Sequence, residues 1–441
     1  MQRARVRSVV DTIVSPIQEL IRTESASGVV LIAAAIAAFV WANSPWAQSY
    51  FEILDVTAGV RFGGFALEKP LLLWVNDLLM AIFFFLVGLE IKRELIVGEL
   101  QSRRRAALPI AAAIGGMVVP ALIFVTLNAG SPAVRGWGIP MATDIAFALG
   151  VLALLGDRVN LSLKTFLLAL AIVDDLGAVL VIAIFYTEGL DAGSLLLALA
   201  AWSAALAYGR FGSARPFVFA MIGAIMWYFM LKSGVHSTVA GVLMALTVPL
   251  RHQLTSDELD EVLRPVLTQE EAGFEHVEVT IEHLEEVLDR AHSPLHSMEH
   301  ALAPYVAFMI MPVFAFFNAG VALGGGEAEV LGSVSIGVLL GLMVGKPVGV
   351  VAFTWLAIRT GLTDLPHGAT WAGVIGVGLL AGIGFTMSLF IASLAFGQSA
   401  QLDEAKIGVL GASVAAALVG LGFLLRVLPR PATGEQTEEV D

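Results

Sequence analysis

The chain has 441 residues, 57% of them hydrophobic and only 14% charged. Soluble globular chains carry about 25% charged residues, and so little charge cannot cover a soluble core built from this many long apolar runs. The net charge of −13 is local: residues 251–300 hold thirteen acids against three Arg, and residues 431–441 hold four more acids, so the acidity is a loop and tail property that points to no acidic or basic partner. The absence of cysteine excludes thiol chemistry, disulfides and Cys-ligated metal.

In chain order, residues 1–26 mix Arg3, Arg5, Arg7 and Arg22 with Asp11, Glu19 and Glu24. They lack the clean apolar core of a cleaved secretion signal and are expected to lie as an amphipathic segment on the cytoplasmic face. Residues 27–428 form the transmembrane domain, with the 251–300 acidic loop inside it, and 429–441 is an acidic cytoplasmic tail. Twelve apolar spans are predicted, at residues 27–42, 71–90, 106–128, 137–155, 161–186, 193–208, 216–232, 236–250, 301–322, 332–357, 370–394 and 407–428. The fold class is therefore an all-α polytopic membrane protein. Residues 53–68 add strand-like stretches around Gly63-Gly64, the pattern of a short external hairpin, whose exposed edge suits pairing with a second copy. The acidic loop reads as partly helical and solvated around 278–291.

Orientation follows from the basic residues. With the N-terminus in the cytoplasm, inside segments hold nineteen Lys and Arg and outside segments five, a positive-inside bias that puts both termini in the cytoplasm. The remaining one, Lys346, falls near the middle of the tenth span.

A charge at the bilayer centre costs roughly 2.5–3.5 kcal/mol even on lenient scales, and those that persist there usually carry ion or proton traffic. Asp174 and Asp175 sit at the midpoint of the fifth span. Adjacent helical residues point about 100° apart, but two acids so close in a low dielectric cannot both ionise cheaply. Such a carboxylate holds a proton or a small hard cation, not both, and that competition is the chemistry of cation/proton exchange. Asp144 follows Pro140-Met141-Ala142-Thr143; the proline breaks the helix and frees carbonyls beside Thr143 and Asp144 for an oxygen-lined site or for dipole compensation. Lys346 needs a negative partner, with Asp174 or Asp175 the natural candidate, and a lysine there also offsets the negative ends of broken helices. Asp77 lies nearer a helix end and reads as structural, and His236 as an interfacial cap. The glycines of the eleventh span, Gly376, Gly378, Gly382 and Gly384, make poor continuous helix: close packing or an unwound crossing.

These stretches resemble the NhaA-type sodium/proton antiporters of bacterial inner membranes: Phe83-Phe84-Phe85-Leu86-Val87-Gly88-Leu89-Glu90-Ile91-Lys92-Arg93-Glu94, Ala142 to Gly150, Ile172-Val173-Asp174-Asp175-Leu176-Gly177-Ala178, Gly345-Lys346-Pro347 and Gly382-Ile383-Gly384-Phe385-Thr386-Met387-Ser388. The resemblance runs from about residue 15 to 428. It implies inverted repeats of spans 3–5 and 10–12 with broken fourth and eleventh spans crossing at the midplane. Asp174 and Asp175 would carry cation and proton, with sodium at Asp175 and Asp174. Thr143 and Asp144 would lie beside them, and Lys346 would pair with Asp174. Gly382 and Gly384 would mark the broken helix. Glu90, Arg93, Glu94, Glu299 and His300 would carry a pH response, and the hairpin at 53–68 would join a homodimer. The implied activity is electrogenic, pH-activated export of Na+ or Li+ in exchange for protons. It is transport rather than enzymatic catalysis, with no cofactor, no nucleic-acid partner, and membrane lipid as surroundings. The chain departs from the family pattern at Ala303, where a further histidine is common, and in the length of its acidic loop. A sodium symporter or channel would use the same acids without proton coupling. An intramembrane aspartyl protease would need a Gly-x-Gly-Asp stretch, and the chain has none.

Overall fold

The computed structural model describes residues 9–62, 65–187, 189–211, 215–250, 293–323, 331–366 and 368–429. The acidic stretch 251–292, the tail from 430 and the Gly63-Gly64 turn lie outside the described residues. In chain order the elements are α1 (Val9–Ala42), α2 (Ala47–Asp55), β1 (Thr57–Phe62), β2 (Phe65–Pro70), α3 (Leu71–Ile96) and α4 (Arg103–Leu127). A 3-10 helix at Pro132–Met141 leads into α5 (Ile145–Ala153), then come α6 (Leu161–Phe185), α7 (Ala192–Phe211), α8 (Pro216–Ser233) and α9 (Thr238–Thr247). The chain closes with α10 (Pro294–Asn318), α11 (Ser333–Arg359), α12 (Trp371–Ala381), α13 (Phe385–Phe396) and α14 (Ala400–Val427).

Among the described residues nine helical stretches are long and apolar enough to cross a membrane, and eleven if each of two bent pairs is one span. One bent pair is α12 with α13, at 44°. The other is the end of α1 with α2, at 114°, so α2 turns away rather than prolonging the first span. Residues 9–26 are helical and continuous in α1 with the first apolar stretch, which begins at Ala26. One expectation shifts. The predicted span 236–250 shrinks to the ten residues of α9, about 15 Å of helix against a hydrocarbon core of about 30 Å. Pro249 is the reason: it drives Val248 into extended backbone (φ −67°, ψ 124°).

The described chain forms two compact units. The smaller comprises residues 81–93 and 188–306. Within it α7 and α8 pack side by side with α9 against both. Gly241 lets α9 approach the backbone of α3 so closely that a Cβ there would strike the Ala81 carbonyl. Lys92 closes the far end of α9, its Nζ donating to the carbonyls of Leu246 at 2.7 Å and Val248 at 2.5 Å, groups that the end of a helix leaves without internal partners.

The larger unit holds residues 1–80, 94–187 and 307–441. It contains two triplets with the same plan: continuous α4, broken 132–153, continuous α6; then continuous α11, broken α12–α13, continuous α14. Small residues set how closely they pack, since in lipid it is contact rather than water expulsion that joins helices. Gly115 of α4 and Gly349 of α11 touch backbone to backbone. Gly341 of α11 packs on Pro140, and Gly345 on Pro120. A π turn at Gly341–Gly345 then delivers Lys346. Gly349→Ala has no room for its methyl against the Gly115 carbonyl, and overpacking of this kind costs about 1–3 kcal/mol or more. The variant is expected to melt well below wild type in detergent, and an unchanged melting temperature would contradict backbone contact at this crossing.

The hairpin pairs β1 and β2 antiparallel, from Thr57 opposite Pro70 to Phe62 opposite Phe65. It is tied to α3 by Trp74 Nε1, which donates to the Ala58 carbonyl at 2.8 Å, and by Lys69, whose Nζ lies 2.5 Å from Asp77 Oδ2. Asp77 thus anchors the hairpin, in keeping with a structural reading.

Candidate functional site: carboxylates at the crossing of two broken helices

Both breaks form where the sequence weakens the helix. In the fourth span the 3-10 segment ends at Met141, residues 142–144 are extended, and α5 starts at Ile145. In the eleventh span the chain leaves helix at Gly382–Gly384. A Cβ on Gly382 would lie 2.5 Å from the Leu342 carbonyl oxygen of α11, and one on Gly384 would strike Ser388 Oγ of α13, so bulkier residues would disturb the packing of the break on α11 and the first turn of α13. Each break exposes backbone donors and acceptors that lipid cannot satisfy.

The two breaks satisfy each other. The Asp144 amide donates to the Ile383 carbonyl at 2.7 Å. Asp144 Oδ1 accepts from Phe147 N at 3.0 Å, capping α5. Its Oδ2 accepts from Thr386 N at 3.1 Å and Thr386 Oγ1 at 2.5 Å, capping α13. One carboxylate therefore closes two helix N-termini, the ends where the dipole favours negative charge. At the opposite pole, Lys346 Nζ donates to the Met141 carbonyl, the negative end of the 3-10 segment, and Ser388 Oγ donates to the Ile139 carbonyl at 2.7 Å.

Lys346 also lies 2.6 Å from Asp174 Oδ2. Both side chains are fully buried, and Asp175, one residue on, is 2% exposed. Thr143 Oγ1 stands 2.7 Å from Asp174 Oδ2 and 3.0 Å from the Ala381 carbonyl. Both are acceptors, and a hydroxyl has one proton, so Thr143 serves either the carboxylate or the end of α12. Among the described residues Asp174 Oδ1 has no hydrogen-bond partner.

The structure thus gathers Thr143, Asp144, Asp174 and Lys346 around the crossing, with Asp175 beside Asp174 on α6. Asp144 is occupied by its two caps, the geometry of dipole compensation rather than of the oxygen-lined site, the two roles considered for it. Sequence reasoning missed Thr386 and Ser388, which close contacts in the crossing. Their signal was present as two hydroxyl residues placed just past the Gly-Ile-Gly break.

The pH-response candidates are only partly gathered. In the smaller unit Arg93 Nε lies 3.5 Å from Glu299 Oε1, and His296 Nδ1 lies 3.9 Å from Glu299 Oε2. His296 and His300 are both exposed, and among the described residues it is His296, one helical turn before Glu299, that lies against this pair. Glu90 is half-buried in α3. In the larger unit, Glu94 Oε2 accepts from the Glu99 amide at 3.1 Å.

Comparison with known proteins gives the chain its relatives. The family model described as Na+/H+ antiporter 1 matches residues 18–424. The chain is 50% identical to the Na(+)/H(+) antiporter NhaA of Koribacter versatilis over 428 residues, which is 96% of this chain and 94% of that one. It is 48% identical to the Na(+)/H(+) antiporter NhaA of Oleidesulfovibrio alaskensis over 436 residues, 96% of each. A looser likeness joins it to the structure of the sodium proton antiporter MjNhaP1 from Methanocaldococcus jannaschii at pH 8, with 12% identity, a TM-score of 0.48, and 96% of this chain and 97% of that one covered. The match along nearly the whole length, with relatives near half identity, settles the lineage: the chain belongs to the Na+/H+ antiporter 1 family.

Proposed function

We propose that this protein exports Na+, or the similarly small and hard Li+, in exchange for protons across a bacterial inner membrane, and that Asp174 and Asp175 carry both ions. The observation that carries the reading is the buried Lys346–Asp174 pair beside Asp175, at the crossing of two broken helices. A cation arriving from the cytoplasm displaces the protons held by the two acids, which are released to the cytoplasm, and binds the carboxylates left behind. After the repeats shift, the cation leaves outside and external protons return to the acids. Protonation of Asp174 removes the partner of Lys346 and frees the Thr143 proton to turn to the Ala381 carbonyl, so proton binding is felt at the end of α12. Two acids titrating per cation move one net positive charge inward. The membrane potential then drives export, at about 2.3 kcal/mol per charge per 100 mV.

The sign of the pH dependence follows. Protons compete with sodium, so falling cytoplasmic pH fills the acids and shuts exchange, and rising pH releases them. Arg93, Glu299 and His296, with Glu90, Glu94 and His300, are the proposed modulators. Both termini lie in the cytoplasm on the positive-inside count, and a homodimer forms by pairing of the exposed hairpin edges.

The test uses everted vesicles with an acidified interior, a fluorescent reporter of the proton gradient, and NaCl or LiCl added from pH 6.5 to 8.5. Sodium should collapse the gradient increasingly as pH rises. A flat profile would refute competition at the carboxylates, and no collapse at any pH, with folded protein present, would move a symporter or channel to the front.

A further inference from the structure

The helix α13 begins at Phe385, and the residue in its capping position is Gly384, which has no side-chain oxygen. It cannot easily acquire one, because a Cβ there would strike Ser388 Oγ and lie 2.9 Å from Leu342 Cδ2. The donors that open α13 therefore need oxygen from other parts of the chain. Asp144 takes the Thr386 amide. The Phe385 amide goes instead to Ser413 Oγ of α14, at 3.0 Å. Ser413 is 1% exposed, so water does not take its place.

Ser413 belongs to a stripe along the buried face of α14: Lys406, Val409, Ser413, Ala416 and Gly420. Their spacing of three and four residues lines them up on one side of a helix. That side backs the break in the eleventh span. A Cβ on Gly382 would lie 3.4 Å from Ala416 Cβ, and one on Gly420 would lie 3.4 Å from Leu380 N and 2.7 Å from Leu380 Cδ2. Small residues bring α14 up to the break, and the serine among them supplies the one oxygen.

We infer that Ser413 is a positioning residue for cation binding: by capping α13 from a neighbouring span, it fixes Phe385 and hence Thr386, which holds the Asp144 carboxylate beside Thr143 and Asp174. The chain of contacts is short. Ser413 holds Phe385 N, the next residue Thr386 gives both its amide and its hydroxyl to Asp144, and Asp144 gives its own amide to Ile383. The fourth span needs no such help, because α5 is capped by its own Asp144. This inference rests on the antiport reading for its transport readout, but the cap itself is tested without transport.

The experiment compares Ser413→Ala and Ser413→Thr with wild type, and with Ser393→Ala as a control. Ser393 lies on α13, where its Oγ donates to the Phe390 carbonyl at 2.7 Å near the far end. In proteoliposomes at fixed pH, Ser413→Ala should raise the apparent KM for Na+ roughly fivefold, the factor expected from losing a capping oxygen, with kcat little changed. Ser413→Thr should bring KM back towards wild type, and Ser393→Ala should leave it alone. Hydrogen exchange in detergent, read by mass spectrometry over residues 383–392, should speed up at the start of α13 in Ser413→Ala only. Unchanged exchange and unchanged KM in Ser413→Ala would overturn the inference, as would a loss of kcat at constant KM. If wild type itself moves no protons in response to Na+, the antiport reading fails, while the exchange data still decide the cap.

Discussion

Replacing Lys346 by methionine is expected to destabilise the protein by about 3–5 kcal/mol, the usual cost of removing one partner from a buried ion pair. The figure follows from what the lysine leaves behind. Asp174 Oδ2 would lose an ammonium at 2.6 Å and keep only the Thr143 hydroxyl, while the Met141 carbonyl would lose its donor at the end of the 3-10 segment. A buried carboxylate without its partner loses the charge that compensates it, so the variant should be defective in exchange. The double variant Asp174→Asn/Lys346→Met carries no buried charge at this pair and should recover much of the stability but none of the exchange. Thermal unfolding of purified single and double variants measures this. A double variant no more stable than Lys346→Met would show that Lys346 acts mainly through the Met141 carbonyl, not through the carboxylate.

Replacing Asp175 by asparagine is expected to abolish sodium-dependent proton movement with little loss of stability. Asparagine matches the carboxylate in size but neither ionises nor exchanges a proton, so the cation loses a charged ligand and the cycle loses a titrating site. Asp174→Asn should also end coupled exchange, but with a different stability signature, because it leaves the Lys346 ammonium buried against neutral groups. Dye-reported proton flux in everted vesicles, with protein levels checked by blotting, separates the two. Residual exchange by Asp175→Asn at a rate near wild type would place the cation elsewhere.

Much of this architecture was legible in the sequence because lipid imposes simple rules. Long apolar runs become spans, a charge within one must be accounted for, and Pro140 or Gly382-Ile383-Gly384 cannot continue a regular helix. The Gly63-Gly64 pair, flanked by strand-like residues, announced the hairpin. Contacts made across helices were not legible. Nothing near Asp144 in the chain says that its second oxygen caps a helix 242 residues later, and Ser413 has the local sequence of an ordinary small-residue packing face. Local signals were also overridden. Pro249 was visible, yet the apolar run across it read as a full span. Near Glu299 the resemblance pointed to His300; that His296, three positions before Glu299 on a helix, also lies against it had no such signal.

The central claim is that sodium and protons compete for the Asp174–Asp175 pair. The most direct measurement adds NaCl to purified protein in weakly buffered detergent solution near the pH of half-activity and counts the protons released per ion bound. The account predicts release of more than one proton per sodium, approaching two, and none from Asp175→Asn. Sodium binding with no proton release from wild type would contradict it.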